Sequence, residues 1–154
     1  MDVSIAIVGS GPAGLSAAAR AAKEGKTHVL LERTGHVNDT IFKYQKKKLV
    51  MATPEFLPLR SDLGFLESVR ETVIDTWVKG VEEAKANVRL NTEVASIKGE
   101  RGNFELGLAN GEKIAAEHVV LSIGVQGNLR KLTIPGAELP FVQYQLDDPD
   151  EYKG

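Results

Sequence analysis

The sequence predicts an α/β fold in three layers, a parallel sheet of about four strands with helices on one face and a three-stranded antiparallel meander on the other. Three observations carry this. Residues 3–32 read as a strand, a helix and a second strand. Residues 94–115 alternate apolar and polar around two turn signals, and an Asn-Gly pair at 110–111 is a hairpin signature. His118–Ile123 is again a continuous apolar run, the pattern of a strand buried on both faces.

Each element follows from local chemistry. Val3–Val8 is short and rich in β-branched residues, and Gly9-Ser10-Gly11-Pro12 breaks it. A helix is predicted from Pro12 to Glu24, with proline in its first turn and Gly25 as its stop. Its many alanines let it lie close to a sheet. His28–Glu32 is the second strand. Arg33–Ser61 has little periodicity, with Pro54 and Pro58 against a long helix, and reads as a loop with one extended piece at Lys48–Ala52. Leu66, Val69, Val73, Trp77, Val81 and Ala84 recur at helical spacing and predict a helix over Glu67–Ala86, with Trp77 in the core. Val88–Asn91 is a short strand. The meander strands are Val94–Lys98, Asn103–Ala109 and Glu112–Ala115, and the last parallel strand ends at Gly124.

Composition narrows the function. The chain has 154 residues, 42% hydrophobic and 26% charged, enough for one domain with its own core. A net charge of −2 gives no reason to expect nucleic acid as a partner. No apolar run approaches the roughly 20 residues of a membrane helix, so no membrane partner is expected and the expected location is cytoplasmic. There is no cysteine, which excludes disulfides, thiolate metal sites and a dithiol redox centre within this sequence. His28, His36 and His118 are too scattered for a metal site, although His36 lies near the candidate ligand loop. The lysines from Lys43 to Lys48 read as a solvated face.

The chemistry-bearing motif is Gly9-x-Gly11-x-x-Gly14. It follows a strand, opens a helix and lies inside a βαβ unit, with an acid, Glu32, at the end of the second strand. Gly9 allows the tight turn, Gly11 lets a pyrophosphate approach the backbone, and Gly14 permits close helix–strand packing. The helix N-terminus supplies unpaired N–H groups to phosphates. Glu32 is positioned to accept hydrogen bonds from ribose hydroxyls, and its charge disfavours a 2′-phosphate there. The motif itself admits FAD or NAD.

Three stretches add to this: IVGSGPAGLSAA with LLER, VVLSIGVQGNLRKLTIPG, and QYQLDDPDEYKG. They resemble the pyridine nucleotide-disulfide oxidoreductase superfamily, in its thioredoxin-reductase-like branch, and look closest to bacterial NAD(P)H-dependent bacillithiol-disulfide-reductase-like proteins. The resemblance implies a Rossmann-like FAD-binding fold. Gly9, Ser10, Gly11, Pro12, Ala13 and Gly14 would wrap the FAD pyrophosphate. Glu32 would face the ribose and Arg33 the adenine. Val94 would meet the adenine through its backbone, and Ser122, Ile123 and Gly124 would pass near the adenosine half. The segment of Asn38, Asp39 and Thr40 would approach the ribityl chain or flavin, although the Gly-Gly pair many thioredoxin reductases carry there is absent.

The resemblance also implies a domain plan. Residues 1–139 form a dinucleotide-binding domain that lacks its C-terminal completion. Residues 140–154, acidic and carrying two prolines, read as a linker toward an NAD(P)H domain not present in this sequence. NAD(P)H is expected only in a longer parent enzyme, and no side chain here reads as a catalytic acid or nucleophile. Two other readings stay open, a stand-alone NAD-binding module and a cofactor-free fragment that self-associates, as a homodimer for example.

Overall fold

The computed structural model describes residues 2–51, 61–125 and 130–144. Strand β1 (Asp2–Val8) leads through the glycine turn into helix α1 (Pro12–Lys23) and returns as β2 (His28–Leu31). A short helix α2 (Asp39–Phe42) and a two-residue strand β3 (Leu49–Val50) follow. Strand β4 (Ser68–Val69), helix α3 (Arg70–Glu83) and strand β5 (Val88–Arg89) come next. The chain then forms β6 (Val94–Glu100), β7 (Asn103–Leu108) and β8 (Lys113–Leu121).

Six strands form one mixed sheet in the order β5-β2-β1-β8-β7-β6, and β3 pairs with β4 in a separate antiparallel ribbon. The four strands β5, β2, β1 and β8 are mutually parallel, as the sequence predicts. Alternation divides the sheet between two cores. Ile7 and Leu30 pack with Leu15, Ala18 and Ala19 of α1 and with Val73, Trp77 and Val81 of α3. Ala6, Val29 and Leu31 point the other way and pack with Leu106, Leu108, Ile114 and Ala116 of the meander. The meander therefore closes over the face that the helices leave open.

The predicted third meander strand and last parallel strand are one element. β8 pairs antiparallel with β7 through Lys113–Ala116 and parallel with β1 through Ala115–Leu121. The change from alternating to continuous hydrophobicity marks a change of partner rather than a break in the chain. Helix α3 starts at Arg70 instead of Glu67, because Ser68 and Val69 pair with Val50 and Leu49 and the Arg70 N–H bonds the Lys48 carbonyl at 2.8 Å. It stops at Glu83 instead of Ala86, since Lys85 takes a left-handed conformation at φ 54°. Trp77 is buried as predicted, and its indole N–H bonds the Gly64 carbonyl at 3.1 Å. Within the predicted loop, α2 is an addition. The extended piece is reduced to Leu49–Val50, with Ala52, Pro54 and Pro58 outside the described residues. Among the described residues no helix is long and apolar enough to cross a membrane.

Candidate functional site: the glycine turn and its flanks

Parallel pairing brings three strand ends to one edge. Val8 is in register with Leu31 of β2 and with Leu121 of β8. The glycine turn, Glu32 and Ser122 thus emerge side by side at the carboxyl ends of adjacent strands, where ligands bind in open α/β sheets. The backbone stitches them together. Gly9 N–H donates to the Leu31 carbonyl at 2.9 Å, and Ser122 N–H donates to the Val8 carbonyl at 2.9 Å.

The three motif glycines have different reasons to be glycine. Gly9 sits at φ +96°, and a Cβ there would lie 2.7 Å from the Ser122 carbonyl oxygen. A Cβ on Gly14 would lie 1.9 Å from the Gly9 carbonyl oxygen. Both are required by the protein's own packing. Gly11 is not. Its φ is −66°, and a Cβ would meet nothing nearer than 4.0 Å. Its side-chain direction is open beside the first turn of α1, where Pro12 and Ala13 are exposed and early N–H groups lack intrahelical acceptors. That arrangement fits a phosphate lying against the backbone.

Glu32 is buried at 6% exposure. Its Oε2 accepts from the Ser10 N–H at 2.9 Å and the Ser10 hydroxyl at 2.6 Å. Its Oε1 accepts from the Thr34 N–H at 2.9 Å, with the Thr34 hydroxyl at 3.1 Å. Burial pushes the carboxyl up, but these hydrogen bonds outweigh it and hold the carboxyl below its ordinary value. Glu32 is therefore ionised and fixed in place, and it also orders the glycine turn.

Ser122 holds the turn itself. Its Oγ lies 2.9 Å from both the Val8 and Gly9 carbonyls, so the hydroxyl clamps the turn. Ile123 and Gly124 are exposed just beyond it. Asn38 meets the turn directly, since its N–H reaches the Ser10 carbonyl at 3.0 Å and the Ser10 hydroxyl at 3.1 Å. The Asn38 side chain is fully buried in a left-handed backbone (φ 62°), and neither Oδ1 nor Nδ2 has a partner among the described residues. A buried amide with both ends unpaired suits a site completed by a polar ligand.

Thr40 is half-buried in α2. Asp39 bonds His36 Nε2 at 3.0 Å and Lys43 Nζ at 2.8 Å. Desolvation raises its carboxyl, yet Lys43 and His36 together hold it below the ordinary value. His36 stacks on Phe42 with ring centroids 3.7 Å apart. These contacts make a structural cluster of α2 and leave Asp39 already engaged. Lys43, Lys46, Lys47 and Lys48 are exposed, the solvated face that the sequence predicts, with Lys43 ion-paired to Asp39 and Lys48 4.2 Å from the Tyr44 ring centroid. Arg33 is exposed beside Glu32, and Val94 is half-buried at the start of β6, opposite Leu108. A groove between α1 and α3, lined by Lys23, Asp62, Lys79 and Glu83 among others, lies apart from the turn and shares no residue with it. Thr34 escaped sequence reasoning, because it follows Glu32 by two residues, outside the glycine motif and its acid.

Fold and site together define an α/β nucleotide-binding protein with a Rossmann-type glycine turn. The chain belongs to the pyridine nucleotide-disulphide oxidoreductase family, which it matches over residues 6–154. It is 24% identical over 159 residues to a ferredoxin–NADP reductase from Ignicoccus hospitalis, covering 96% of this chain and 45% of that protein. A bacillithiol disulfide reductase from Bacillus cereus superposes with a TM-score of 0.76 at 22% identity, over 91% of this chain and 45% of that one. A ferredoxin-flavin thioredoxin reductase from Clostridium acetobutylicum gives 0.65 at 23% identity, over 85% and 40%. The chain thus spans less than half the length of these relatives.

Proposed function

We propose that this chain is the FAD-binding portion of an NAD(P)H-dependent flavin oxidoreductase. In that reading hydride passes from NAD(P)H to the flavin, and electrons pass on to a disulfide, a ferredoxin or another acceptor. The carrying observation is the Gly11 position, which nothing in the protein requires to be glycine and which leaves the turn open. Bound FAD would supply the redox chemistry, and the protein's part is binding and orientation. Gly9, Gly11, Pro12, Ala13 and Gly14 would hold the pyrophosphate through backbone, with Ser10 fixing the turn against Glu32. Glu32 would accept from the adenosine ribose, flanked by Arg33. Val94 would lie by the adenine, and Ser122, Ile123 and Gly124 near the adenosine half. Asn38 and Thr40 would serve the flavin-side half. Residues 140–154 would lead to an NAD(P)H domain of a longer protein, and the cytoplasm is the compartment this reading needs.

The test is a visible spectrum of the purified chain with added FAD, followed by heat release and identification of the freed small molecule. Flavin bands and released FAD are expected. A chain that stays colourless with FAD but binds NAD would overturn this reading in favour of an NAD module. A second reading, self-association as a homodimer, draws on the exposed Ile123, Val125 and Phe141. Size-exclusion chromatography with and without FAD would show it as a ligand-sensitive dimer peak.

A further inference from the structure

We propose that Arg70 is a positioning residue for the cofactor site, holding helix α2 so that Asn38 stays against the glycine turn. That role rests on the dinucleotide reading above, in which Asn38 serves the flavin-side half of the ligand, and it adds the device that keeps Asn38 in place.

Helix α2 has four residues, Asp39–Phe42. A helix that short does not form by itself in water, so its orientation has to come from the rest of the fold. Ile41 supplies the apolar part, buried in the core cluster that includes Leu15, Val73 and Trp77. Apolar contact is not directional and does not fix how α2 is turned about its axis. Hydrogen bonds do that, at both ends. At the N-terminal end the Asn38 N–H reaches the Ser10 carbonyl at 3.0 Å and the Ser10 hydroxyl at 3.1 Å. At the C-terminal end Arg70 donates to carbonyls that a helix terminus leaves over. Its Nε bonds the Phe42 carbonyl at 2.9 Å, with the Ile41 carbonyl at 3.3 Å, and its Nη2 bonds the Phe42 carbonyl as well.

Arg70 is itself held. Its Nη1 donates to Glu71 Oε1 at 2.8 Å, and its side chain is only 14% exposed. Its backbone N–H bonds the Lys48 carbonyl at 2.8 Å, and the Glu71 carboxylate also accepts from the Lys47 N–H at 3.2 Å. The guanidinium lies 5.2 Å from the centroid of the Phe42 ring, the ring that stacks with His36. The first two residues of α3 therefore grip the chain from Ile41 to Lys48. A planar guanidinium fixes the angle of the carbonyls it bonds, where an ammonium makes only a point contact. One helical turn carries that angle to the cofactor side, since the Phe42 N–H bonds the Asn38 carbonyl at 2.9 Å. Without the fork α2 can turn. The Asn38 amide, whose Oδ1 and Nδ2 have no partner among the described residues, turns with it.

The test compares wild type, Arg70→Met, Asn38→Gly and the double variant as full chains, with affinities for ADP and FAD measured by calorimetry. Arg70→Met keeps an unbranched apolar stem and removes every donor. It should bind FAD about tenfold more weakly and ADP within about twofold of wild type, because Asn38 serves the half that ADP lacks. The double variant should bind FAD no more weakly than Asn38→Gly alone, because Arg70 acts through Asn38. Equal weakening of ADP and FAD, or losses that add in the double variant, would assign Arg70 a structural role only and overturn the proposal. Arg70→Lys, a milder change, provides a measurement should Arg70→Met fail to fold. Its ligand-free amide hydrogen exchange should be faster at Asn38 and unchanged at Leu30, whose N–H bonds the Asn87 carbonyl at 2.8 Å. Exchange unchanged at Asn38, or raised equally at both, would also overturn the proposal. A wild-type protein that binds neither ADP nor FAD would instead overturn the dinucleotide reading.

Discussion

Replacing Gly14 by alanine puts a methyl carbon 1.9 Å from the Gly9 carbonyl oxygen and 2.6 Å from Ser122 Oγ. The obstacle is mainly backbone, so α1 must retreat by more than an ångström from the turn it packs on. Overpacking of this kind costs about 1–3 kcal/mol, and a backbone clash belongs at the upper end. For a chain of this size, each kcal/mol lowers the unfolding midpoint by roughly 2–4 °C, so Gly14→Ala should lose about 6–12 °C. Gly11→Ala is the informative control. The new methyl group meets nothing within 4 Å except the Ser122 carbonyl oxygen at 4.0 Å, and the backbone is in an ordinary region. Its stability should be unchanged or higher by about 0.4–1 kcal/mol, from the stiffer unfolded chain. Its affinity for FAD should nevertheless fall at least tenfold, or about 1.4 kcal/mol, because the methyl occupies the pyrophosphate approach. Thermal unfolding by circular dichroism reads the first quantity and quenching of flavin fluorescence the second. A Gly11→Ala protein as unstable as Gly14→Ala, or one that binds FAD like wild type, would refute the assignment of Gly11 to the ligand.

Glu32→Gln turns an NH₂ group toward the N–H of either Ser10 or Thr34 and should cost about 1–3 kcal/mol in urea unfolding near pH 7. Because the folded carboxyl lies below its ordinary value of 4.5, the unfolded chain takes up the proton first as pH falls. The ionised group's contribution is present above about pH 4.5 and lost below it, so the gap between wild type and Glu32→Gln should narrow in acid. Asn38→Gly removes both the left-handed strain and the unpaired amide, and should raise ligand-free stability by about 1 kcal/mol while weakening FAD binding; a destabilised ligand-free protein would count against a ligand role. Trp77→Phe keeps the ring and loses the bond to Gly64, for a cost of about 1 kcal/mol, whereas Trp77→Ala should cost about 3–5 kcal/mol by thermal unfolding.

Much of this was legible in the sequence wherever local pattern and tertiary role coincide. β1 and α1 carry their own breakers, and the positions of Val73, Trp77 and Val81 announced a buried helix face that the structure confirms. The elements that escaped are those made by distant partners. The four residues of α2 are too few for a periodicity. The start of α3 is set by the ribbon with Leu49–Val50, some twenty positions earlier, and its end by a lysine in a conformation that no local signal marks. For the site, the glycines and Glu32 were readable from spacing. The hydroxyl work of Ser10 and Ser122 was not, because each bonds across a fold that brings together residues as far apart as Gly9 and Ser122, and the local bond of Thr34 to Glu32 lies outside the glycine motif.

The central position of β1 has a consequence for biosynthesis. One of its edges is satisfied early by β2, where Ile7 pairs with Leu30, but the other waits for β8, where Ile7 pairs with Val120. At about 5–20 residues per second, a ribosome needs roughly 6–23 seconds to make the 113 positions between Ile7 and Val120. Throughout that interval the nascent chain carries an open strand edge of Ser4-Ile5-Ala6-Ile7-Val8, apolar and able to pair with any strand that arrives first. The cradle cannot close before then either, since Ser122, which clamps the Gly9 carbonyl, emerges two residues after Val120. The glycine turn therefore acquires its last clamp late in synthesis, after the edge of β1 has stood open for most of that time.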